Sequence, residues 1–258
     1  GIERSTLGEF VLVNHGGRKL MIHQAKSGFV YIYDRTNGKV ENVWSINKYV
    51  TFVKTIDPKT GELIGRNPPS ISEGAMFCPS MLGGRSWNAG SYNPDTGVWF
   101  NSRQEMCEVA KVRPERPPTE GLPGWYAGAD LQWVHPPGDK AHGAIDAWDP
   151  FTGKKKWTVP DKYPRISGIL STKGNLVFSG DMRGYIYAYD AASGTELWRF
   201  NMGSASRGGI VSYMAGGEQY ILAPSGIGSA AQPIVGSLYP EVAEFPTGAA
   251  LFAFKVPR

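Results

Sequence analysis

The amino-acid sequence predicts an all-β fold of the β-propeller type, and three observations support this prediction. Glycine and proline supply 33 and 19 of the 258 residues, about one fifth of the chain, which argues against a helical bundle. A short polar turn motif recurs five times, and two of its copies end at Gly153 and Gly194, which are 41 residues apart. That spacing matches the ~40–45 residues of a four-stranded propeller blade.

The turn motif consists of Asp or Asn, three further residues and Gly. The Asp or Asn side chain accepts a hydrogen bond from a backbone N–H two residues on, and the glycine supplies the positive φ angle that a tight turn requires. Each copy therefore predicts a surface hairpin turn that builds the scaffold and performs no chemistry. The five copies occupy residues 34–38, 57–61, 93–97, 149–153 and 190–194.

Short strands flank three of these turns. Aromatic and apolar residues alternate before the turn, as at residues 185–189, and a second strand after it ends in tryptophan. We expect each of these three rings, Trp44, Trp157 and Trp198, to dock onto the neighbouring blade. Further strands are predicted at residues 19–23, 175–180, 219–223 and 251–254.

Two stretches, residues 102–141 and 225–248, are rich in Gly and Pro and lack periodicity, so they are predicted to be long loops that carry function. The hydrophobic content of 41% is enough to bury the core of one domain, which we place at residues 1–258. The net charge of +4 is dispersed along the chain, so nucleic-acid binding is not indicated. No apolar stretch approaches the ~18–20 residues that span a bilayer, so the chain is predicted not to be membrane-spanning.

Five segments, in the same order, resemble the C-terminal half of the PQQ-dependent methanol/ethanol dehydrogenase family. They lie at residues 29–38, 78–80, 91–97, 170–178 and 246–254 and extend over nearly the whole chain. The resemblance implies an eight-bladed β-propeller with tryptophan-docking motifs, of which this chain supplies about half of the blades. It also implies pyrroloquinoline quinone (PQQ) and a Ca²⁺ or lanthanide ion in the axial funnel. The implied enzyme is periplasmic, oxidises a small-molecule alcohol to aldehyde or ketone, and passes electrons to a c-type cytochrome.

The length of the chain leaves room for only four to five blades at ~42 residues each. We therefore expect a nicked or split protein in which the N-terminal half of the propeller is a separate or cleaved chain. In the family that half holds the metal ligands, the general-base Asp and the Arg that binds the PQQ carboxylates. Accordingly, no catalytic residue and no metal ligand is predicted in this chain.

The resemblance assigns five cofactor-binding positions to this chain. Lys26 aligns with the Lys or Arg that donates to the quinone oxygens, where a cation stabilises the negative charge that develops on reduction. Ser86 stands where relatives commonly carry Asn or Asp, and the following Trp87 either lines the funnel or packs. Ile166 and Ile227 replace Trp or Asn of relatives, which leaves backbone groups to serve there and admits a larger substrate.

The chain has two cysteines, Cys78 and Cys107, which are 29 residues apart. An even count in a secreted chain favours a disulfide bridge, and two buried free thiols are the alternative. The family has a cysteine pair at the same separation, so the resemblance implies a structural bridge between these two residues.

Two other functions remain open on the sequence. A non-catalytic propeller scaffold that has lost the cofactor is favoured by Ser86, Ile166 and Ile227, whereas Lys26 and the cysteine pair favour the enzyme. A WD-repeat interaction protein is disfavoured, because the recurring turn is Asp-x-x-Thr-Gly instead of a frame of Gly-His and Trp-Asp.

Overall fold

The computed structural model describes residues 9–68, 73–113, 128–227 and 231–255. Within these ranges almost all regular structure is β-strand, so the predicted all-β class is confirmed. The strands are β1 (Phe10–His15), β2 (Arg18–Gln24), β3 (Phe29–Asp34), β4 (Val40–Ser45), β5 (Val53–Ile56), β6 (Leu63–Arg66), β7 (Ala75–Phe77), β8 (Ser91–Asn93), β9 (Val98–Glu105), β10 (Cys107–Val112), β11 (Ala129–Val134), β12 (His142–Asp149), β13 (Lys154–Asp161), β14 (Ile169–Ser171), β15 (Leu176–Gly180), β16 (Tyr185–Asp190), β17 (Glu196–Asn201), β18 (Val211–Ala215), β19 (Glu218–Ser225) and β20 (Ala250–Lys255). A short α-helix, α1, spans Ala231–Gly236, and a 3₁₀ helix spans Pro240–Glu244.

The described strands form five antiparallel sheets and one hairpin. Three sheets have four strands: sheet A (β1-β2-β3-β4), sheet C (β8-β9-β12-β13) and sheet D (β14-β15-β16-β17). Two have three strands, sheet B (β7-β10-β11) and sheet E (β18-β19-β20), and β5 pairs with β6 as a hairpin. Each four-stranded antiparallel sheet corresponds to one propeller blade.

All five copies of the polar turn are formed as predicted. In each, the glycine N–H donates to the carbonyl oxygen of the Asp or Asn at 2.7–2.9 Å, and the glycine φ lies between +67° and +75°. The side-chain oxygen of the Asp or Asn also accepts from the backbone N–H two residues on. In sheets A, C and D these turns connect the strands at one end, which we call the turn end.

Two of the predicted tryptophan contacts determine the order of the sheets. Trp44 Nε1 of sheet A donates to Pro150 O in the turn of sheet C at 2.8 Å. Trp157 Nε1 of sheet C donates to Ala191 O in the turn of sheet D at 3.0 Å. Sheets A, C and D are therefore consecutive blades joined by docked tryptophans.

Sheet E continues this arc as the fourth blade. Trp198 of sheet D contacts the ring of Phe254 of sheet E, with 5.3 Å between the ring centroids. No turn among the described residues receives Trp198, which is 39% exposed. The third predicted tryptophan contact is thus present only as strand packing, and a complete ring of eight blades stays a prediction.

The arc has apolar side chains exposed on both of its end sheets. These are Phe10 and Leu12 on β1 of sheet A, and Val211, Tyr213 and Leu251 on sheet E. On the face of sheet A that carries Phe10 and Leu12, strands β3 and β4 are covered by sheet B and by the hairpin of β5 and β6. All of these elements contribute to one buried hydrophobic cluster. Strand β1 on this face of sheet A, and one face of sheet E, remain uncovered within the described residues.

The prediction of long loops at residues 102–141 and 225–248 is wrong in part. The end of β9 and strands β10 and β11 lie in the first stretch, and α1 and the 3₁₀ helix lie in the second. Strand β9 belongs to sheet C, whereas β10 and β11 belong to sheet B, so successive strands in this stretch have their partners in different sheets. Their pairing is therefore not visible as a local pattern in the sequence. Residues 114–127 lie outside the described residues. Neither helix, nor any other helix in the described ranges, is long and apolar enough to cross a membrane.

Candidate functional site

The predicted site residues lie in the connections at the end of the sheets opposite the turns, which we call the loop end. Because antiparallel strands alternate in direction, the connection after β2 emerges at this end, as do those after β13, β17 and β19. Gly84 N–H donates to Lys26 O at 2.9 Å, and Ile169 N–H donates to Ala89 O at 2.8 Å. These hydrogen bonds join the connections at the loop end of sheets A, C and D into one layer, which we call the loop layer.

Lys26 lies in the loop between β2 and β3 and is partly buried. Gly83 approaches it so closely that a Cβ at this position would lie 2.4 Å from Lys26 Cγ. Burial lowers the pKa of the Lys26 ammonium, and the charge of Glu108 acts in the opposite direction. Within the described part of the chain Lys26 forms no ion pair at contact distance. Its ammonium is therefore a desolvated cation that is available to a ligand.

Glu108 is the carboxylate that acts on Lys26, and it lies on β10. It is 3% exposed, and its Oε2 accepts a hydrogen bond from Met81 N–H at 3.0 Å. Burial raises the pKa of Glu108, whereas the Met81 hydrogen bond and the charge of Lys26 lower it. Each of the two groups thus stabilises the charged form of the other.

Ser86 and Trp87 lie in the connection between β7 and β8. Ser86 is buried, and its hydroxyl has no hydrogen-bond partner among the described residues. Trp87 is 58% exposed, so it is not a core residue, and its ring lies open at the loop end. The next side chain anchors the segment, because Asn88 Nδ2 donates to Ser167 O at 3.2 Å.

Ile166 and Ile227 lie together in one hydrophobic cluster, in which Met106 and Met182 are also buried. Their exposed fractions are 5% and 8%. Both side chains are thus engaged in packing, and a contact with a cofactor from these positions would come from backbone groups. Gly228, the last residue of the predicted loop around Ile227, lies outside the described residues.

The disulfide between Cys78 and Cys107 is present, which confirms the predicted bridge. Cys78 directly follows β7, and Cys107 is the first residue of β10. Next to the bridge, Ser80 N–H donates to Met106 O at 2.7 Å. The bridge therefore fixes the start of the segment that carries Ser86 against the strand that carries Glu108.

Several buried polar atoms at the loop end have no hydrogen-bond partner within the described ranges. They are Gln24 Oε1, Ser27 Oγ, Ser80 Oγ, Arg85 Nη2, Ser86 Oγ and Gln104 Nε2. Buried polar groups in native proteins are nearly always hydrogen-bonded, so such a concentration indicates a polar ligand or ordered water. Gln24 Oε1 is an acceptor, whereas the hydroxyl, guanidinium and amide N–H groups of the others can donate. Together with the Lys26 cation, these donors fit a planar molecule rich in carbonyl and carboxylate oxygens, as PQQ is. Across the described residues, no group of three His, Cys, Asp or Glu side chains is placed to hold a metal ion.

Two charged residues of this layer were not identified from the sequence. Glu108 is placed beside Lys26 by the pairing of β10 with β7, which no local motif encodes. Arg207 lies with its guanidinium 4.0 Å from the centroid of the Trp87 ring, although the two residues are far apart along the chain. The glycines around Arg207 indicate a turn, but they do not indicate its aromatic partner.

Known proteins resemble this chain in sequence over most of its length. The family model PQQ, described as "Glucose/ethanol/alcohol dehydrogenase, beta-propeller domain", matches residues 159–221. A quinoprotein ethanol dehydrogenase from Pseudomonas aeruginosa is 32% identical over 93% of this chain and 39% of its own length. A lanthanide-dependent methanol dehydrogenase from Methylorubrum extorquens is 29% identical over 82% of this chain and 37% of its own length. The chain thus spans about two fifths of the length of these relatives.

Solved structures show the same similarity in three dimensions. A europium-containing methanol dehydrogenase superposes with a TM-score of 0.85 at 25% identity, over 96% of this chain and 47% of its own. A quinohemoprotein alcohol dehydrogenase, ADHIIG from Pseudomonas putida HK5, superposes with a TM-score of 0.82 at 28% identity, over 95% of this chain and 38% of its own. The chain corresponds to the C-terminal part of these larger proteins.

Proposed function

This chain belongs to the quinoprotein alcohol dehydrogenase family, and we propose that it forms the C-terminal half of an eight-bladed propeller that binds PQQ and oxidises an alcohol. The N-terminal half of the propeller completes the ring and supplies the general base and the ligands of a Ca²⁺ or lanthanide ion. The proposed electron acceptor is a c-type cytochrome. The proposed location is the periplasm, where a buried bridge such as Cys78–Cys107 forms and persists.

One observation carries the proposal for the cofactor. Lys26 presents a desolvated ammonium without an ion-pair partner in the described chain, one hydrogen bond away from the segment that carries the unpaired hydroxyl of Ser86. A cation and a donor in a protected site are suited to a molecule whose oxygens gain negative charge during a reaction. A purely structural lysine at a surface turn would be exposed or paired.

When bound, PQQ supplies the two-electron oxidation of the alcohol. Several residues of this chain would hold it, each in a different way. Lys26 would bind a quinone oxygen and stabilise the negative charge that develops there. The Ser86 hydroxyl would donate a second hydrogen bond, shorter in reach than the Asn or Asp of relatives. Glu108 favours the protonated form of Lys26 and so acts as a positioning residue.

The ends of the arc support a second polypeptide segment that completes the ring. The turn glycines Gly153 and Gly194 each receive a tryptophan ring of the preceding blade, at 2.7 and 2.8 Å from a hypothetical Cβ. At the equivalent Gly38 of the first blade, no atom of the described residues lies within 4 Å of that position. Trp198 of sheet D is correspondingly not docked on any described turn. An incomplete ring is expected to have a turn without a docked tryptophan at one end, as at Gly38, and a tryptophan without a turn towards the other end, as at Trp198.

Dye-linked alcohol oxidation by the complete protein, loaded with PQQ and Ca²⁺ or La³⁺, tests this function. We expect ethanol-dependent reduction of the dye, and a loss of about 100-fold or more in kcat for Lys26→Ala, the scale expected when one stabilising donor is removed. Lys173→Ala, at the exposed turn between β14 and β15, is the matched control and should leave kcat unchanged. Turnover of Lys26→Ala within about twofold of the wild type would refute the role of Lys26.

The alternative function is a non-catalytic propeller scaffold. The packing of Ile166 and Ile227 in a hydrophobic cluster favours it, because these positions offer no side chain to a cofactor. The two functions differ in a simple measurement, which is the equilibrium binding of PQQ to the complete protein. Saturable binding that is weakened in Lys26→Ala supports the enzyme, and the absence of binding with either metal supports the scaffold.

A further inference from the structure

A cation and an exposed aromatic ring, Arg207 and Trp87, are paired at the loop end. The Arg207 guanidinium lies 4.0 Å from the centroid of the Trp87 ring. At this distance the guanidinium lies over the ring in a cation–π contact, the kind of contact in which arginine commonly stacks on an aromatic face. More than half of Trp87 remains exposed, so the pair faces open space at the mouth of the loop layer.

Three connections meet in the backbone next to this pair. Gly168 N–H donates to Gly208 O at 3.3 Å. A Cβ on Gly168 would lie 3.2 Å from Gly209 Cα and 3.7 Å from Ala89 O, so the three segments are in contact at a position that only glycine fits easily. Ser206, next to Arg207, forms a parallel bridge with Gly226. The segments that carry Trp87 and Arg207 are therefore held in place relative to each other.

The charge of Arg207 is not neutralised within the described part of the chain, where it has no carboxylate partner at contact distance. Burial alone lowers the pKa of Arg207, and no neighbouring charge opposes the shift. A guanidinium that stacks through its face keeps its N–H groups at the edge for hydrogen bonds. Those edge donors match the two oxygens of a carboxylate, which arginine binds in a bidentate manner.

We propose that Trp87 and Arg207 form a carboxylate-binding site at the mouth of the loop layer, and that it binds the carboxylate of a hydroxy acid substrate. The inference rests on the proposed function, because it assigns a substrate class to the same alcohol-oxidising centre. The exposed position of the pair favours the substrate over the cofactor, whose expected contacts Lys26 and Ser86 are buried or partly buried. PQQ also carries carboxylates, so the experiment distinguishes these two sources.

The test compares two alcohols of equal carbon chain length, 3-hydroxypropanoate and 1-propanol, in the complete protein loaded with PQQ and metal. Arg207→Gln should lower kcat/KM for 3-hydroxypropanoate by about tenfold or more, the value of one charged hydrogen-bonded contact, and leave kcat/KM for 1-propanol within about twofold. Arg207→Lys retains the positive charge but not the two parallel N–H donors of the guanidinium, so it should lower kcat/KM for 3-hydroxypropanoate by less than Arg207→Gln does. The matched control is Arg199→Gln, because Arg199 also lies over an aromatic ring, Tyr185 at 5.7 Å, but on strand β17.

Two binding measurements complete the test. The dissociation constant of propanoate, an unreactive carboxylate, should rise about tenfold or more in Arg207→Gln, and that of PQQ should be unchanged. Weakened PQQ binding with an unchanged preference between acid and alcohol would overturn the assignment to the substrate and give the carboxylate to the cofactor. If 1-propanol is oxidised but neither preference nor binding changes, the inference is wrong while the proposed function stands. If no alcohol is oxidised, propanoate binding still decides whether the carboxylate site exists.

Discussion

Replacing Gly153 by alanine tests whether the tryptophan contacts between blades hold the arc together. Gly153 has a φ of +70°, and a Cβ there would lie 2.7 Å from Cγ of the Trp44 ring. Trp44 also donates to Pro150 O in the same turn, so the ring cannot move away without losing this hydrogen bond. The substitution therefore combines an unfavourable backbone conformation with an overpacked contact between two blades.

The expected loss follows from these two effects. A left-handed conformation at a residue other than glycine costs about 1–2 kcal/mol. Overpacking of a tight contact costs about 1–3 kcal/mol. We therefore expect Gly153→Ala to lower the free energy of unfolding of the complete protein by about 2–5 kcal/mol, measured by urea denaturation.

Gly138→Ala is the matched control, because Gly138 has nearly the same φ, +71°, and no atom in the described part of the chain lies within 4 Å of a Cβ there. This variant should lose only the conformational contribution, about 1–2 kcal/mol. Equal losses in the two variants, at equal denaturant slopes, would refute the claim that the docked Trp44 ring stabilises the junction of sheets A and C.

Three further predictions concern the bridge and the buried charges. Alanine at both Cys78 and Cys107 should lower the free energy of unfolding by about 3.5 kcal/mol in the chain-entropy model, as measured by urea denaturation, and the unfolded, unreduced wild type should show no free thiol on titration. Glu108→Gln removes a charge that raises the pKa of Lys26, so this pKa falls and the alkaline limb of the pH–rate profile moves to lower pH; an unmoved limb would contradict the coupling. Arg103 is buried between two carboxylates, at 2.7 and 2.8 Å. Arg103→Met should therefore lower the free energy of unfolding by about 3–5 kcal/mol, and a loss of the size of a surface pair, below about 1 kcal/mol, would contradict this.

The features that the sequence predicts well are those encoded locally. The turn at residues 149–153 contains its own acceptor, its own proline and its own glycine, so its geometry does not depend on the rest of the chain. The strands on either side alternate with a period of two and end in tryptophan, which is sufficient to predict a hairpin. The order of the blades then follows from where Trp44 and Trp157 dock.

The features that the sequence does not predict depend on contacts between distant segments. The chain leaves sheet C after β9, enters sheet B as β10 and returns as β12, so the strands in residues 102–141 find their partners far away. Glu108 lies near Lys26 only because the chain passes from sheet C to sheet B at β10. From the sequence, packing is the favoured position for Trp87 over a place in the funnel; the structure instead leaves its ring 58% exposed with Arg207 above it, and no local motif encodes this contact.

In the proposed function, this arc and a second segment enclose PQQ at the loop end. The most direct measurement is native mass spectrometry of the complete protein after incubation with PQQ and Ca²⁺, followed by denaturation and detection of the released cofactor. We predict a complex that contains this chain, the N-terminal half of the propeller and one PQQ. A stably folded protein that contains no N-terminal half and releases no PQQ on denaturation would contradict the proposed function.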